Sequence, residues 1–227
     1  MKKYLAEALG TMMLVLMCCG THMSLACTGC APVAVICTAL ASGLAFTALA
    51  CTIGGISGCH VNPAVTTGAF LSGRIGGKDA AMYIVSQATG GIAAAAILCA
   101  LAASTGMTDI GANCLRGNGA ATFPVPAGLL AEAVCSCVLV FVFLGATSRA
   151  GGATDSAAGL AVGFAYVVVS LCCARYTGAS VNPARSLGTA IFSGGAPLAQ
   201  LWIFIVGPAA GGTVAALLWK AVAPAGK

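Results

Sequence analysis

The sequence predicts an all-α membrane protein, six transmembrane helices plus two re-entrant half-helices in an inverted 3+3 repeat. Three observations carry this. Lys and Arg number ten and Asp and Glu five among 227 residues, and the apolar residues fall in runs of about twenty, the length that crosses a bilayer as helix. Two near-identical heptads, His60-Val-Asn-Pro-Ala-Val-Thr66 and Ser180-Val-Asn-Pro-Ala-Arg-Ser186, stand one in each half. Each heptad opens an apolar segment too short to span.

The spans read in order as roughly 4 to 26, 32 to 55, 80 to 103, 126 to 147, 157 to 176 and 199 to 222. The first follows Lys2-Lys3 and ends near Cys27, a pattern shared with secretory signals, but Glu7 inside it and five further spans make it a retained helix. Within it, Leu5-Ala-Glu-Ala-Leu-Gly-Thr11 matches Leu130-Ala-Glu-Ala-Val-Cys-Ser136 of span four, and Gly90-Gly91 of span three matches Gly211-Gly212 of span six. Gly159-xxx-Gly163 and Gly207-xxx-Gly211 are small-residue patterns that let helices pack closely. The chain thus reads as one domain over 1–227, with repeats of about 1–110 and 125–227 joined by an outer loop, 104–125. An odd number of spans per repeat turns the second upside down relative to the first.

The short segments, 62 to 73 and 182 to 193, fit half-helices of about eleven residues that enter from opposite faces. Asn accepts hydrogen bonds at an N-cap and Pro suits the first helical turn, so each Asn-Pro-Ala starts a helix, and Gly73 and Gly194-Gly195 close them. At ~1.5 Å per residue each crosses about half the hydrocarbon, so the two N-termini meet near its centre. Irregular backbone at that depth must be buried or line a wet cavity, which leaves 54–61 and 177–181 to present carbonyls to a pore. Two positive helix ends aimed at one point repel cations and protons, and a narrow apolar conduit strips ions of hydration without return.

Basic residues orient the chain. With both termini in the cytoplasm, Lys2, Lys3, Arg74, Lys78, Arg149, Lys220 and Lys227 lie inside, against Arg116, Arg175 and Arg185 outside. The formal charge of +5 then reflects orientation, and no basic face of the kind nucleic acid needs is formed.

The pairs Ala6-Glu7 and Ala131-Glu132, with Ser57-Gly-Cys-His-Val-Asn-Pro-Ala-Val-Thr66 and Gly178-Ala-Ser-Val-Asn-Pro-Ala-Arg-Ser186, carry a resemblance over nearly the whole chain. The sequence resembles the aquaporin and aquaglyceroporin channels, the major intrinsic proteins, and in particular their bacterial and archaeal water-channel-type members. The resemblance implies the aquaporin fold, a pore through each subunit, a homotetramer in the plasma or inner membrane, and passive flow of water and small neutral solutes with ions and protons excluded. It implies no enzyme activity, cofactor or metal.

On this reading Asn62 and Asn182 cap their half-helices and point amide donors into the pore centre; capping alone is the simpler reading of either one. Arg185, which as a lone arginine would merely snorkel to the interface, takes the family's role of filter donor. Glu7 and Glu132 recur at equivalent places in apolar spans, where a carboxylate is expensive, and take the family's role of accepting hydrogen bonds from the re-entrant loops rather than serving as first-turn acids. His60 is read either as a buried histidine bonded to its loop or as lining the pore through its carbonyl, with a pH gate as a third reading.

The family's water-selective filter combines an aromatic from span two, a histidine from span five, a small loop residue and the arginine. Counting without gaps from the triplets lands on Ser42, Ser170, Ala179 and Arg185. Both bulky residues are absent, so the filter is expected to be wider and more hydroxylic than in water-only channels. Ser186 stands where glycerol-type members usually carry Asp, and Ile205 where many water-type members carry Trp. The rival readings are a strictly water-selective channel and, from another class, a secondary transporter, which inverted repeats also build.

Of thirteen cysteines most fall inside spans, where thiols act as small apolar residues. A thiol enzyme or redox sensor would need a basic partner beside a particular thiol, and His22 and His60 define none. Cys27 and Cys30 form a lone C-x-x-C in the first outer loop, read as a strained disulfide or a soft-metal site and weak as a zinc signal. Cys59 stands three residues before Asn62 as Ala179 does before Asn182, and is expected to line the inner vestibule, open to mercurials from the cytoplasm.

Overall fold

The computed structural model describes residues 1–26, 31–118, 121–148 and 156–223. The Cys27/Cys30 pair, and Arg149 and Lys227 of the orientation count, lie outside the described residues. In order the helices are α1 (Lys2–Ala26), α2 (Ala31–Ser57), α3 (Pro63–Leu71), α4 (Gly77–Thr105), α5 (Val125–Ala146), α6 (Ser156–Thr177), α7 (Pro183–Ser193), a short α8 (Gly195–Ala199) and α9 (Leu201–Val222). Six of them, α1, α2, α4, α5, α6 and α9, are long and apolar enough to cross a bilayer. Among the described residues of the loop before α5, a two-residue antiparallel pairing forms, Gly117–Asn118 with Ala121–Thr122.

The expected spans are found with small shifts at their ends. The third begins at Gly77 behind an extended Gly76 and stops where Gly106 turns left-handed, φ 71°. The α2 helix runs through Ser57, and the Gly58 N–H still bonds to the Gly54 carbonyl at 2.8 Å. The irregular backbone expected over 54–61 is therefore confined to its last residues. The first half-helix is nine residues rather than eleven, because Ser72 caps it and Gly73 turns at φ 81°.

Within each half the first long helix packs against the second and third: α1 on α2 and α4, and α5 on α6 and α9. The halves then join along α2 and α6, and crosswise, with α7 lying against α4 and α3 against α9. Glycines make the crosswise contacts possible. A Cβ on Gly91 would collide with the Ala184 carbonyl at the start of α7, and one on Gly212 would stand 2.5 Å from the Ala64 carbonyl at the start of α3. Gly43 and Gly163 likewise bring α2 and α6 into backbone contact. Leu5, Leu9, Met13 and Met17 form an exposed stripe down α1, as expected of a surface turned to lipid tails.

Candidate functional site

The two loops ahead of the half-helices fold alike. Gly58, Cys59 and Val61 in one, and Gly178, Ala179 and Val181 in the other, all have positive φ, a region that β-branched residues enter only where the surroundings hold them. What holds them is a buried carboxylate in each half. Glu7 accepts from the Ser57 hydroxyl (2.6 Å), the His60 and Val61 N–H groups (3.0 and 2.7 Å) and the Gln87 amide (2.7 Å). Glu132 accepts from the Thr177 hydroxyl (2.7 Å), the Ser180 and Val181 N–H groups (2.9 and 2.7 Å) and the Cys173 thiol (3.6 Å). The ends of each heptad also close on each other, His60 Nδ1 on Thr66 Oγ1 at 3.1 Å and Ser180 Oγ on Ser186 Oγ at 2.6 Å.

With the loops so fixed, Asn62 and Asn182 cap α3 and α7. Asn62 Oδ1 accepts from the Ala64 N–H at 2.8 Å, and Asn182 Oδ1 from Ala184 and Arg185 at 3.1 and 3.3 Å. Their amide nitrogens reach across the pseudo-twofold axis, Asn62 Nδ2 to the Val181 carbonyl (2.8 Å) and Asn182 Nδ2 to the Val61 carbonyl (3.0 Å). Two helix N-termini, each carrying about half a positive charge, therefore face one point inside the bundle.

Cavities approach that point from both ends. On the side of the chain termini a space of 1020 Å³ is lined by Lys3, Gly58, His60, Arg74, Phe143 and Lys220, among others. On the opposite side a space of 780 Å³ includes Cys18, Ser42, Ser170, Gly178 and Ala179 in its wall. From its floor a narrow space of 20 Å³, bordered by Tyr166, Asn182 and Arg185, runs toward the asparagines. The structure thus brings Ser42, Ser170, Ala179 and Arg185 together around one passage. Arg185 is 5% exposed; its Nη1 bonds to Asn113 Oδ1, which also accepts from the Ser186 hydroxyl at 2.7 Å. Its Nε, although buried, has no hydrogen-bond partner among the described residues.

Two expectations need revision or completion. Cys59 does not line the vestibule. It is fully buried within the apolar cluster that also holds Phe46, Val162 and Tyr166, whereas its neighbours Gly58 and His60 border the cavity. The backbone does not decide this, since Ala179 has the same left-handed φ and borders the opposite cavity; the difference is the packing of Phe46, Val162 and Tyr166 in the cluster around Cys59. His60 is a buried, loop-bonded histidine and a cavity neighbour at once, its ring 5.2 Å from that of Tyr83 and 5.4 Å from that of Phe143.

Residues 1–219 match the Major intrinsic protein family. The chain belongs to that family. Aquaporin Z of Rhodopseudomonas palustris is 38% identical over 226 residues, covering 98% of this chain and 93% of its own. The glycerol uptake facilitator protein-like 6 of Lactiplantibacillus plantarum is 40% identical over 220 residues, covering 95% of each. The X-ray structure of the aquaglyceroporin from Plasmodium falciparum shares the fold with a TM-score of 0.85 at 19% identity, over 97% of this chain and 96% of that one. Major intrinsic proteins are membrane channels, not enzymes, and this one is a multi-pass membrane protein.

Several residues of this major intrinsic protein's site escaped the reading of its sequence. Gln87 bridges Glu7 and Thr66, at 2.7 and 2.9 Å; three residues ahead of Gly211 its counterpart place holds Pro208, so comparing the repeats could not flag it. Asn113, which holds Arg185, comes from the connecting loop outside both repeats. Cys18 enters the passage wall from α1. Tyr166 did leave a signal: it lies sixteen residues before Asn182, as Phe46 lies sixteen before Asn62.

Proposed function

We propose that the chain is a passive channel for water and small uncharged solutes, driven by osmotic or solute gradients alone, with a filter wider than that of strict water channels. The carrying observation is the pair of asparagines tying two facing helix ends together, with a large cavity at each end of the bundle and a narrow passage from one of them reaching Asn182. In this reading Asn62 and Asn182 form the pore centre, and their helix ends repel protons and cations. Ser42, Ser170, Ala179 and Arg185 form the filter, with the Arg185 guanidinium as the hydrogen-bond donor to a passing oxygen. His60 borders the inner entrance. Glu7 and Glu132 hold the loops, and because their oxygens are already taken, a secondary transporter that cycles a proton or ion through them is disfavoured.

The channel forms one domain, repeats 1–110 and 125–227 joined by 104–125, with both termini in the cytoplasm of a plasma or inner membrane, and it assembles as a homotetramer. The names of its relatives, one aquaporin and one glycerol facilitator, agree with water and small polyols as cargo. A strictly water-selective channel is the second reading, favoured by the 20 Å³ passage, which has room for about one water. Stopped-flow light scattering on proteoliposomes separates the two. Shrinkage under an impermeant osmolyte followed by reswelling under glycerol and urea, lost in Ser42→Phe/Ser170→His while water flow persists, is the expected result; water flow with no solute entry in the wild type would leave the water-selective reading.

A further inference from the structure

The bulk that the outer filter lacks is found one helical turn deeper. Ser170 and Ser42 border the wide outer cavity, and four residues on from each, toward the asparagines, stand Tyr166 on α6 and Phe46 on α2. Four residues of helix is about 6 Å of travel along the axis. The two rings pack at 5.2 Å between centroids, and both are buried, Phe46 completely and Tyr166 to 3%. The Tyr166 hydroxyl accepts a hydrogen bond from Asn62 Nδ2 at 2.9 Å, with the Asn182 side chain as a further neighbour.

Asn62 Nδ2 has two protons, and both are spent, one on Tyr166 and one on the Val181 carbonyl. The tyrosine oxygen therefore occupies the place that the pore reading assigns to a transiting oxygen. Tyr166 also borders the 20 Å³ passage, together with Asn182, and that passage shares none of its lining residues with the large cavity on the terminal side. The narrow stretch thus runs past the serines to Asn182, with Tyr166 in its wall one turn deeper than Ser170.

We propose that Tyr166 is a further selectivity-determining residue of this channel, one turn deeper than the serines: its hydroxyl stands in for the permeant oxygen on Asn62, and each transit displaces it. The inference rests on the reading of Asn62 and Asn182 as the pore centre. It places the limiting step of transport at the midplane, where hydrogen bonding to Asn62 and ring bulk both act. A solute passes only by offering Asn62 an oxygen as good as the one it displaces and by fitting beside the tilted Tyr166–Phe46 pair. Water and small hydroxylic solutes meet the first condition and solute width sets the second.

The test is water and glycerol permeability of proteoliposomes holding the full chain as wild type, Tyr166→Phe or Tyr166→Leu, each checked for retained helix content by circular dichroism. Tyr166→Phe keeps the ring and frees one Asn62 proton, and water permeability should rise about fivefold, the effect of one neutral hydrogen bond. Tyr166→Leu also removes the bulk, so glycerol entry should rise by a larger factor than water flow. Folded Tyr166→Leu protein with wild-type values for both water and glycerol overturns the proposal, as does a Tyr166→Phe variant that conducts water more slowly than wild type. If wild type and both variants conduct no faster than empty vesicles, the channel reading itself falls and the proposal with it.

Discussion

Asn62 and Asn182 each hold the loop that precedes the other: the Asn62 amide donates to the carbonyl of Val181, and the Asn182 amide to the carbonyl of Val61, at 2.8 and 3.0 Å. The asparagines are thus structural ties between the halves as well as caps. Asn62→Ala removes the cap of α3, about 1 kcal/mol, and strands the buried Val181 carbonyl, about 1–3 kcal/mol. A clear fall in thermal unfolding temperature in detergent is expected. Asn62→Asp keeps the acceptor for Ala64 but turns an oxygen toward Val181 and adds negative charge at two positive helix ends. Potassium leak measured across loaded vesicles should appear in Asn62→Asp and be absent from wild type.

The two carboxylates give an asymmetric prediction. In either Glu→Gln variant a new NH₂ faces a backbone N–H, so one buried donor goes unsatisfied at about 1–3 kcal/mol. Next to Glu7, however, stands Gln87, whose Oε1 has no partner; by turning over its amide it can accept from the new group. Glu132 has only the Cys173 thiol in the comparable place. Glu132→Gln should therefore lower the unfolding temperature more than Glu7→Gln, and equal shifts would argue against the Gln87 relief.

How much of this was legible beforehand depended on duplication. Glu7 and Glu132, the asparagines and the half-helices each had a partner in the other repeat, and a coincidence of two positions identifies a site where one would not. Arg185 has no such partner, since Val65 stands at the matching place, and was legible only through the family motif. Gln87 and Asn113 do their work through contacts 72 to 80 residues away in the chain, set by helix packing that a linear pattern does not encode. Cys59 was misplaced because repeat symmetry gave the backbone correctly but not the packing: Ala179 borders a wide cavity, while Cys59 faces the ring-filled core.

That correction changes the expected thiol chemistry. Among the described residues, Cys18 is the cysteine in the walls of the cavity opposite the termini and of the narrow passage, and Cys59 reaches neither of the large cavities. A charged mercurial added on the side opposite the chain termini should block water flow, and Cys18→Ser should remove most of that block. Cys59→Ser should leave it intact. Block that survives Cys18→Ser but not Cys59→Ser would return Cys59 to the conduit wall.

Acid should loosen the loop that borders the cavity opposite the chain termini. Asp109 accepts from His22 Nε2 at 3.2 Å and from the Gly111 N–H at 2.7 Å. The His22 contact first and the Gly111 bond second hold its carboxyl down to about 2, against the opposing effect of burial. A carboxyl depressed in the folded protein contributes stability that is complete above its unfolded value, about 4, and is lost as pH falls through that value toward about 2. The side chain is 56% exposed, so the effect is local and modest rather than global. Amide exchange at Gly111 should accelerate, relative to an unstructured peptide, between pH 5 and 2. Asp109→Asn keeps an acceptor for Gly111 but cannot titrate, so its relative exchange should be flat over that window; an acid step of unchanged size in the variant would mean that another group controls the loop.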